Sequence, residues 1–162
     1  MISEESKARF AIEVAKYPAD QKQSAVMACL AIVQQEVGYV SDESEKLVAD
    51  YLGMTPIAVR EVTTFYNMYN QRPVGKYKLN VCTNLPCQLR DGGRALKHLE
   101  DKLDINMGET TPDGLFTLQQ CECLGACADS PVLLVNDRTM CSFMSDDKLD
   151  LLVDGLRAEG GK

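Results

Sequence analysis

The stretch YKLNVCTNLPCQLRDGGRALKHLEDKL, residues 77–103, decides the fold. Tyr77 to Cys82 alternates in the manner of a strand, and from Asp91 to Leu103 the period becomes helical, with Leu96, Leu99 and Leu103 on one face. Between the two lie Cys82 and Cys87, with Pro86 fixing the loop before the second thiol.

Downstream, the turn signal Asp113-Gly114 introduces a second strand from Leu115 to Cys121. Two short strands follow at Pro131 to Val135 and Thr139 to Phe143, joined by a turn at Asn136-Asp137. A last helix spans Asp146 to Leu156, and the tail from Glu159 to Lys162, with nothing to bury, is expected to be mobile. The order strand, helix, strand, strand, strand, helix describes a small α/β sandwich of the thioredoxin type.

Upstream, Arg72-Pro73-Val74-Gly75 is a breaker that divides the chain at residues 1–72 and 73–162. The first part reads as a helical bundle. Apolar positions recur at helical spacing from Ala8 to Val14 and again from Gln23 to Val37, where Gly38 supplies a stop. Ser41 or Asp42 caps a third helix that ends at Leu52 before Gly53, and Thr55-Pro56 opens a fourth, with a stripe of Val59, Val62, Phe65, Tyr66 and Tyr69. The stripe reads as packing rather than as a cofactor site. The fold class is thus α+β.

The formal charge of -7 and the pI near 4.7 argue against nucleic acid and anionic membrane surfaces, and leave protein as the expected partner. No apolar run approaches the roughly 20 residues that span a bilayer, and MISEESKARF carries no signal-peptide pattern, so a cytoplasmic location without membrane insertion is expected. In that reducing compartment seven cysteines do not make a disulfide framework.

Four of them form two short pairs, Cys82-x4-Cys87 and Cys123-x3-Cys127. Each pair can hold one tetrahedral iron, so the two together suit a 2Fe-2S rhomb whose remaining positions are bridging sulfides. Gly125 lets backbone N–H groups approach the sulfurs, as does the N-terminus of the helix after Cys87. With acidic surroundings such a cluster is expected at low potential. A structural zinc site also takes four thiolates, although its pairs are usually C-x2-C. A redox dithiol would need C-x-x-C, which the chain lacks. Cys29 and Cys141 read as buried thiols, while Cys121, two residues before Cys123, stays open as a substitute ligand.

Other signals are weak. There is no G-x-G-x-x-G, and His98, the sole histidine, reads as a solvated residue on a charged helix. The segment Glu45 to Phe65 has the outline of a helix-turn-helix, but Arg60 is the only basic residue between Thr55 and Tyr69, too few for a recognition helix. A redox-sensing iron-sulfur transcriptional regulator is the rival reading from another class.

Thr64-Phe65-Tyr66, Pro73-Val74-Gly75-Lys76-Tyr77, Val81-Cys82-Thr83-Asn84-Leu85-Pro86-Cys87 and Glu122-Cys123-Leu124-Gly125-Ala126-Cys127 together closely resemble the NuoE family of respiratory complex I, from about Ala8 to Arg157. The resemblance implies a helical bundle followed by a thioredoxin-like ferredoxin domain, with Cys82, Cys87, Cys123 and Cys127 as ligands of one 2Fe-2S cluster. It also implies FMN and NADH on a flavoprotein NADH-dehydrogenase partner subunit only, with the large iron-sulfur subunit adjacent. The chain itself would be a non-catalytic electron-transfer subunit, peripheral to the inner membrane through the assembled complex. Equivalent subunits serve soluble NAD-dependent formate dehydrogenases and bidirectional hydrogenases. Asp91, Cys121 and Ser130 depart from the family's usual residues without removing a ligand, and Ser130-Pro131 is where a cis peptide is expected. Exposed aromatic residues near Phe65 to Tyr69 are the expected partner surface.

Overall fold

A computed structural model describes residues 2–160. The chain divides between Pro73 and Val74 into two compact units, an all-helical one and a mixed α/β one. The α+β class and the thioredoxin-like arrangement expected from the element order are what the structure has.

In the first unit α1 spans Glu4–Val14, α2 Val26–Val37, α3 Asp42–Leu52 and α4 Pro56–Phe65. The helix expected from Gln23 starts later, because a 3-10 segment, Ala19–Ala25, precedes it and Gln21 leaves helical geometry. Gly38 and Gly53 end α2 and α3 in the left-handed region, where glycine carries no Cβ penalty. Ser41 is the cap of α3, its Oγ accepting from Ser44 N at 3.2 Å. Phe10, Cys29, Leu30, Val33, Val48, Leu52 and Val59 are fully or almost fully buried in one core, which accounts for Cys29 as packing.

The stripe expected on the fourth helix splits. Tyr66 has extended backbone and closes α4 after Phe65, so Phe65 is left 80% exposed. Tyr69, which the periodicity groups with the exposed aromatics, is 6% exposed, and its O–H donates to Met27 O at 2.9 Å. It therefore belongs to the core and is no partner surface. Arg60 faces carboxylates, pairing with Asp42 and lying 3.3 Å from Glu45, whose buried carboxylate also accepts from Thr63 Oγ1. The one cation of the helix-turn-helix outline is thus engaged within the protein. No helix among the described residues is long and apolar enough to cross a membrane.

In the second unit the strands are β1 Tyr77–Cys82, β2 Phe116–Cys121, β3 Leu133–Val135 and β4 Thr139–Cys141, in the order β2-β1-β3-β4. β1 and β2 run parallel with Cys82 opposite Cys121, whereas β1–β3 and β3–β4 are antiparallel. β1 is central, so Lys78 and Asn80 on its second face are buried as well as Leu79 and Val81. Burial of the Lys78 charge is compensated by Asp137 at 2.6 Å. Asn136 and Asp137 both take positive φ, giving the tight hairpin turn expected there.

Three helices complete this unit: α5 Leu85–Gln88, α6 Gly92–Leu103 and α7 Asp146–Gly160. Leu99, Leu149 and Val153 join Leu79, Phe116 and Leu118 in its core. His98 is not a solvated residue, since its Nε2 lies 2.9 Å from Asp150 and links α6 to α7 beside Lys102. Glu159 and Gly160 continue α7 rather than beginning a mobile tail, and Gly161 and Lys162 lie outside the described residues.

Candidate metal centre

Parallel pairing of β1 and β2 brings their C-terminal ends to the same edge of the sheet, and Cys82 N donates to Val132 O at the entry to β3. Three strand ends therefore present their loops side by side. Cys82 closes β1, and Cys87 sits in the single turn of α5 that Asn84-Leu85-Pro86 initiates. Cys123 follows β2, and Cys127 opens a 3-10 turn, Cys127–Asp129. The loops are tied across by Asn84 Nδ2 donating to Glu122 Oε2 at 2.8 Å and Arg90 Nη1 donating to Ala128 O at 3.2 Å.

The two pairs differ in environment. Cys82 and Cys87 are buried with Val132, against Cys121, Leu124 and Ala126. Cys123 is exposed and Cys127 half-buried, with their sulfurs 3.4 Å apart. Backbone donors aim at sulfur from both loops. Gly125, at φ +76, turns its N–H onto Cys123 Sγ at 3.4 Å, and Cys82 Sγ accepts from the N–H groups of Asn84 and Leu124. The Leu124 contact matters most, because it joins the second loop to the buried pair. Among the described residues no three His, Cys, Asp or Glu side chains surround a single point as one ion's shell would require; the thiols stand as two bites.

Protonation follows these surroundings. Burial raises the Cys82 thiol, opposed by its two N–H donors, whereas the Gly125 N–H lowers Cys123. Cys127 rises because its neighbour Cys123 competes for negative charge. Burial pushes Cys121 up to about 12, helped by Cys82, so it behaves as a neutral packed thiol. Several thiolates gathered this closely call for a cationic centre, and N–H groups directed at sulfur are the usual complement of a negatively charged iron-sulfur cluster. The four residues thus fit a 2Fe-2S group by donor chemistry.

The family model of the thioredoxin-like [2Fe-2S] ferredoxins matches residues 10–157. The chain belongs to that family. Subunit 2 of the NADH-quinone oxidoreductase of Thermus thermophilus is 42% identical over 144 residues, covering 89% of this chain and 80% of the relative. The NuoE-type component of the NADH-quinone oxidoreductase of Rickettsia conorii is 40% identical over 145 residues, covering 89% and 86%. The resemblance drawn from the motifs to the NuoE family is thereby borne out. Among solved structures, a chain of an air-oxidised NAD+-reducing [NiFe]-hydrogenase superposes with a TM-score of 0.70 at 17% identity. It covers 83% of this ferredoxin but only 23% of that chain, and at this identity it speaks for the fold alone.

All four sequence-predicted cysteines lie at this edge. Donors to sulfur come from Asn84, Leu124 and Gly125 rather than from the helix after Cys87; that helix, α6, starts at Gly92, whose Cα lies against the Cys87 and Cys82 carbonyls. Ser130 was visible only as an unusual residue before a proline. In the structure it is 2% exposed, its peptide bond to Pro131 is cis, and its hydroxyl lies 3.2 Å from Cys87 Sγ.

Proposed function

We propose that this chain is the electron-transfer subunit of an NADH-quinone oxidoreductase, with Cys82, Cys87, Cys123 and Cys127 holding one 2Fe-2S cluster that exchanges electrons with the FMN of the NADH-oxidising partner. The cluster, when bound, supplies reversible one-electron chemistry. Hydride transfer belongs to the flavoprotein partner, and this chain contributes no catalytic residue of its own. The helical unit, residues 1–72, and the ferredoxin domain, residues 73–162, would both serve assembly beside the flavoprotein and the large iron-sulfur subunit.

The observation that supports this most directly is the Leu124 N–H bond to Cys82 Sγ, which draws the two thiol pairs together at one sheet edge. Within that edge the chain's residues have separate tasks. Cys82 and Cys87, packed with Val132, keep water from the inner side, while Cys123 and Cys127 face outward, where a partner can approach. Asn84, Leu124 and Gly125 N–H groups offset negative charge on sulfur. Exposed Leu85 and Leu89 flank Cys87, and Phe65 is the most exposed aromatic of the first unit.

The test has two steps. Anaerobic purification should give iron and acid-labile sulfide in equal amounts, with Cys82→Ser and Cys127→Ser losing both; zinc without sulfide would reject the reading. The loaded chain should then be reduced by NADH only when the flavoprotein subunit is present, followed by electron paramagnetic resonance. Reduction with a formate dehydrogenase or hydrogenase flavoprotein but not with the quinone-linked one would move the chain to those assemblies. Sequence-specific DNA binding would favour the regulator, against which the engagement of Arg60 by Asp42 and Glu45 already weighs.

A further inference from the structure

Cys87 Sγ is the sulfur most removed from solvent after Cys82, and besides the neighbouring Cys82 thiol its polar contact is the hydroxyl of Ser130, 3.2 Å away. Sulfur–oxygen contacts of this length are hydrogen bonds when one partner carries the proton. In the free thiol state Cys87 S–H can donate to Ser130 Oγ, while the Ser130 O–H donates to Cys127 O at 2.7 Å. A Cys87 sulfur bound to iron has lost its proton and can only accept. The contact then persists as an attraction only if the Ser130 hydroxyl turns its proton onto sulfur.

The structure permits that turn. Cys127 O also accepts from Ser130 N, at 3.4 Å, so the carbonyl keeps a partner when the hydroxyl leaves it. Ser130 is held on both sides, by Cys127 before it and by Pro131, whose carbonyl accepts from Met144 N at 3.0 Å. The oxygen therefore stays at its post while only its hydrogen rotates. From this juxtaposition we infer that Ser130 is a potential-tuning residue, its hydroxyl donating to the Cys87 sulfur and favouring the reduced form of the cluster. The inference rests on the ligand assignment proposed above and goes beyond it by giving a role to a residue that ligates nothing.

The sign follows from charge. Reduction adds one electron to a centre that is already negative, and a donor to a ligand sulfur interacts more strongly with the more negative state. Ser130 thus raises the midpoint potential relative to a side chain that cannot donate. A roughly tenfold change in the reduction equilibrium is expected, which is about 59 mV for one electron.

The experiment is a redox titration of the anaerobically loaded full chain, read by electron paramagnetic resonance, for wild type, S130A and S130T. S130A should keep its iron and sulfide, titrate at a lower potential and show shifted g values; S130T, which restores a hydroxyl, should return toward wild type. An S130A protein that is fully loaded and titrates at or above the wild-type potential overturns the inference while leaving the ligand assignment intact. A wild-type chain without a 2Fe-2S cluster overturns both. Should S130A load poorly, electron-nuclear double resonance of the wild-type cluster in H2O and D2O decides. An exchangeable proton coupling that survives in neither S130A nor D2O supports the inference, and one that persists unchanged in residual loaded S130A refutes it.

Discussion

Gly92 offers the sharpest test of how the sheet edge is held together. A Cβ at this position would lie 2.9 Å from the carbonyl carbon and oxygen of Cys87 and 3.1 Å from Cys82 O, all of them backbone atoms that cannot swing aside. Comfortable carbon contacts begin at about 3.5 Å, so Gly92→Ala must push α6 from the cysteine loop by about 0.5 Å. Overpacking of this kind costs about 1–3 kcal/mol, and the better helix propensity of alanine returns at most about 1 kcal/mol. Gly93 is the matched control. Its Cβ would come within 2.8 Å of Gln88 Nε2, the far end of a flexible side chain, so Gly93→Ala should be neutral or slightly stabilising. The two variants should differ by about 2 kcal/mol, which moves a urea midpoint by about 1 M at an ordinary denaturant slope. Urea unfolding of the reduced, anaerobic chain, followed by circular dichroism, measures this directly, and the iron content of the loaded G92A protein should fall relative to G93A. Equal midpoints for the two would refute the claim that backbone contact at Gly92 positions the cysteine loop.

Two further outcomes follow from other parts of the molecule. Asp91 stands at φ +68 with no side-chain hydrogen bond to cap α6, so Asp91→Gly should relieve backbone strain of about 1 kcal/mol, partly offset by unfolded-state entropy, and thermal unfolding should rise rather than fall. In the helical unit, burial raises Tyr69 from 10.0 to about 12 and Cys29 from 9.0 to about 11. Both groups ionise earlier in the unfolded chain, so their contribution to stability is complete below pH about 9 and is lost as pH rises toward 11 and 12. Denaturation midpoints measured from pH 8 upward should fall across this window, and Cys29→Ala should remove the lower part of the fall; a flat profile to pH 12 would contradict the burial argument.

Much of this architecture was legible in sequence because local signals agreed with the global arrangement. The change of period within residues 77–103, the glycines after α2 and α3, and Thr55-Pro56 all mark boundaries that the structure keeps within a few residues. What failed depended on tertiary contact. Tyr69 continues a helical period by spacing alone, but the helix stops at Phe65 and Tyr69 reaches the core by another route. His98 stands among charges in sequence, yet those charges do not reveal that Asp150 lies across from it on another helix, with Lys102 bridging to the same carboxylate. Around the thiols, the four cysteines were identifiable by type and spacing. The donors from Leu124 and Asn84 were not, because backbone N–H direction is set by the turn rather than by the side chain. Asp91 explains itself only once its left-handed backbone is known, a conformation that aspartate tolerates better than most residues.

The parallel register of β1 and β2 has a thermodynamic consequence. No short peptide of this chain contains both sulfur pairs, and only a completed sheet brings Cys82 and Cys87 within reach of the loop after Cys121. A metal group that binds the assembled edge but not the extended chain adds its affinity to the free energy of unfolding. Occupancy and tertiary order are then the same variable read by two instruments, so chelation should lower the melting temperature of the α/β unit before any residue has been changed.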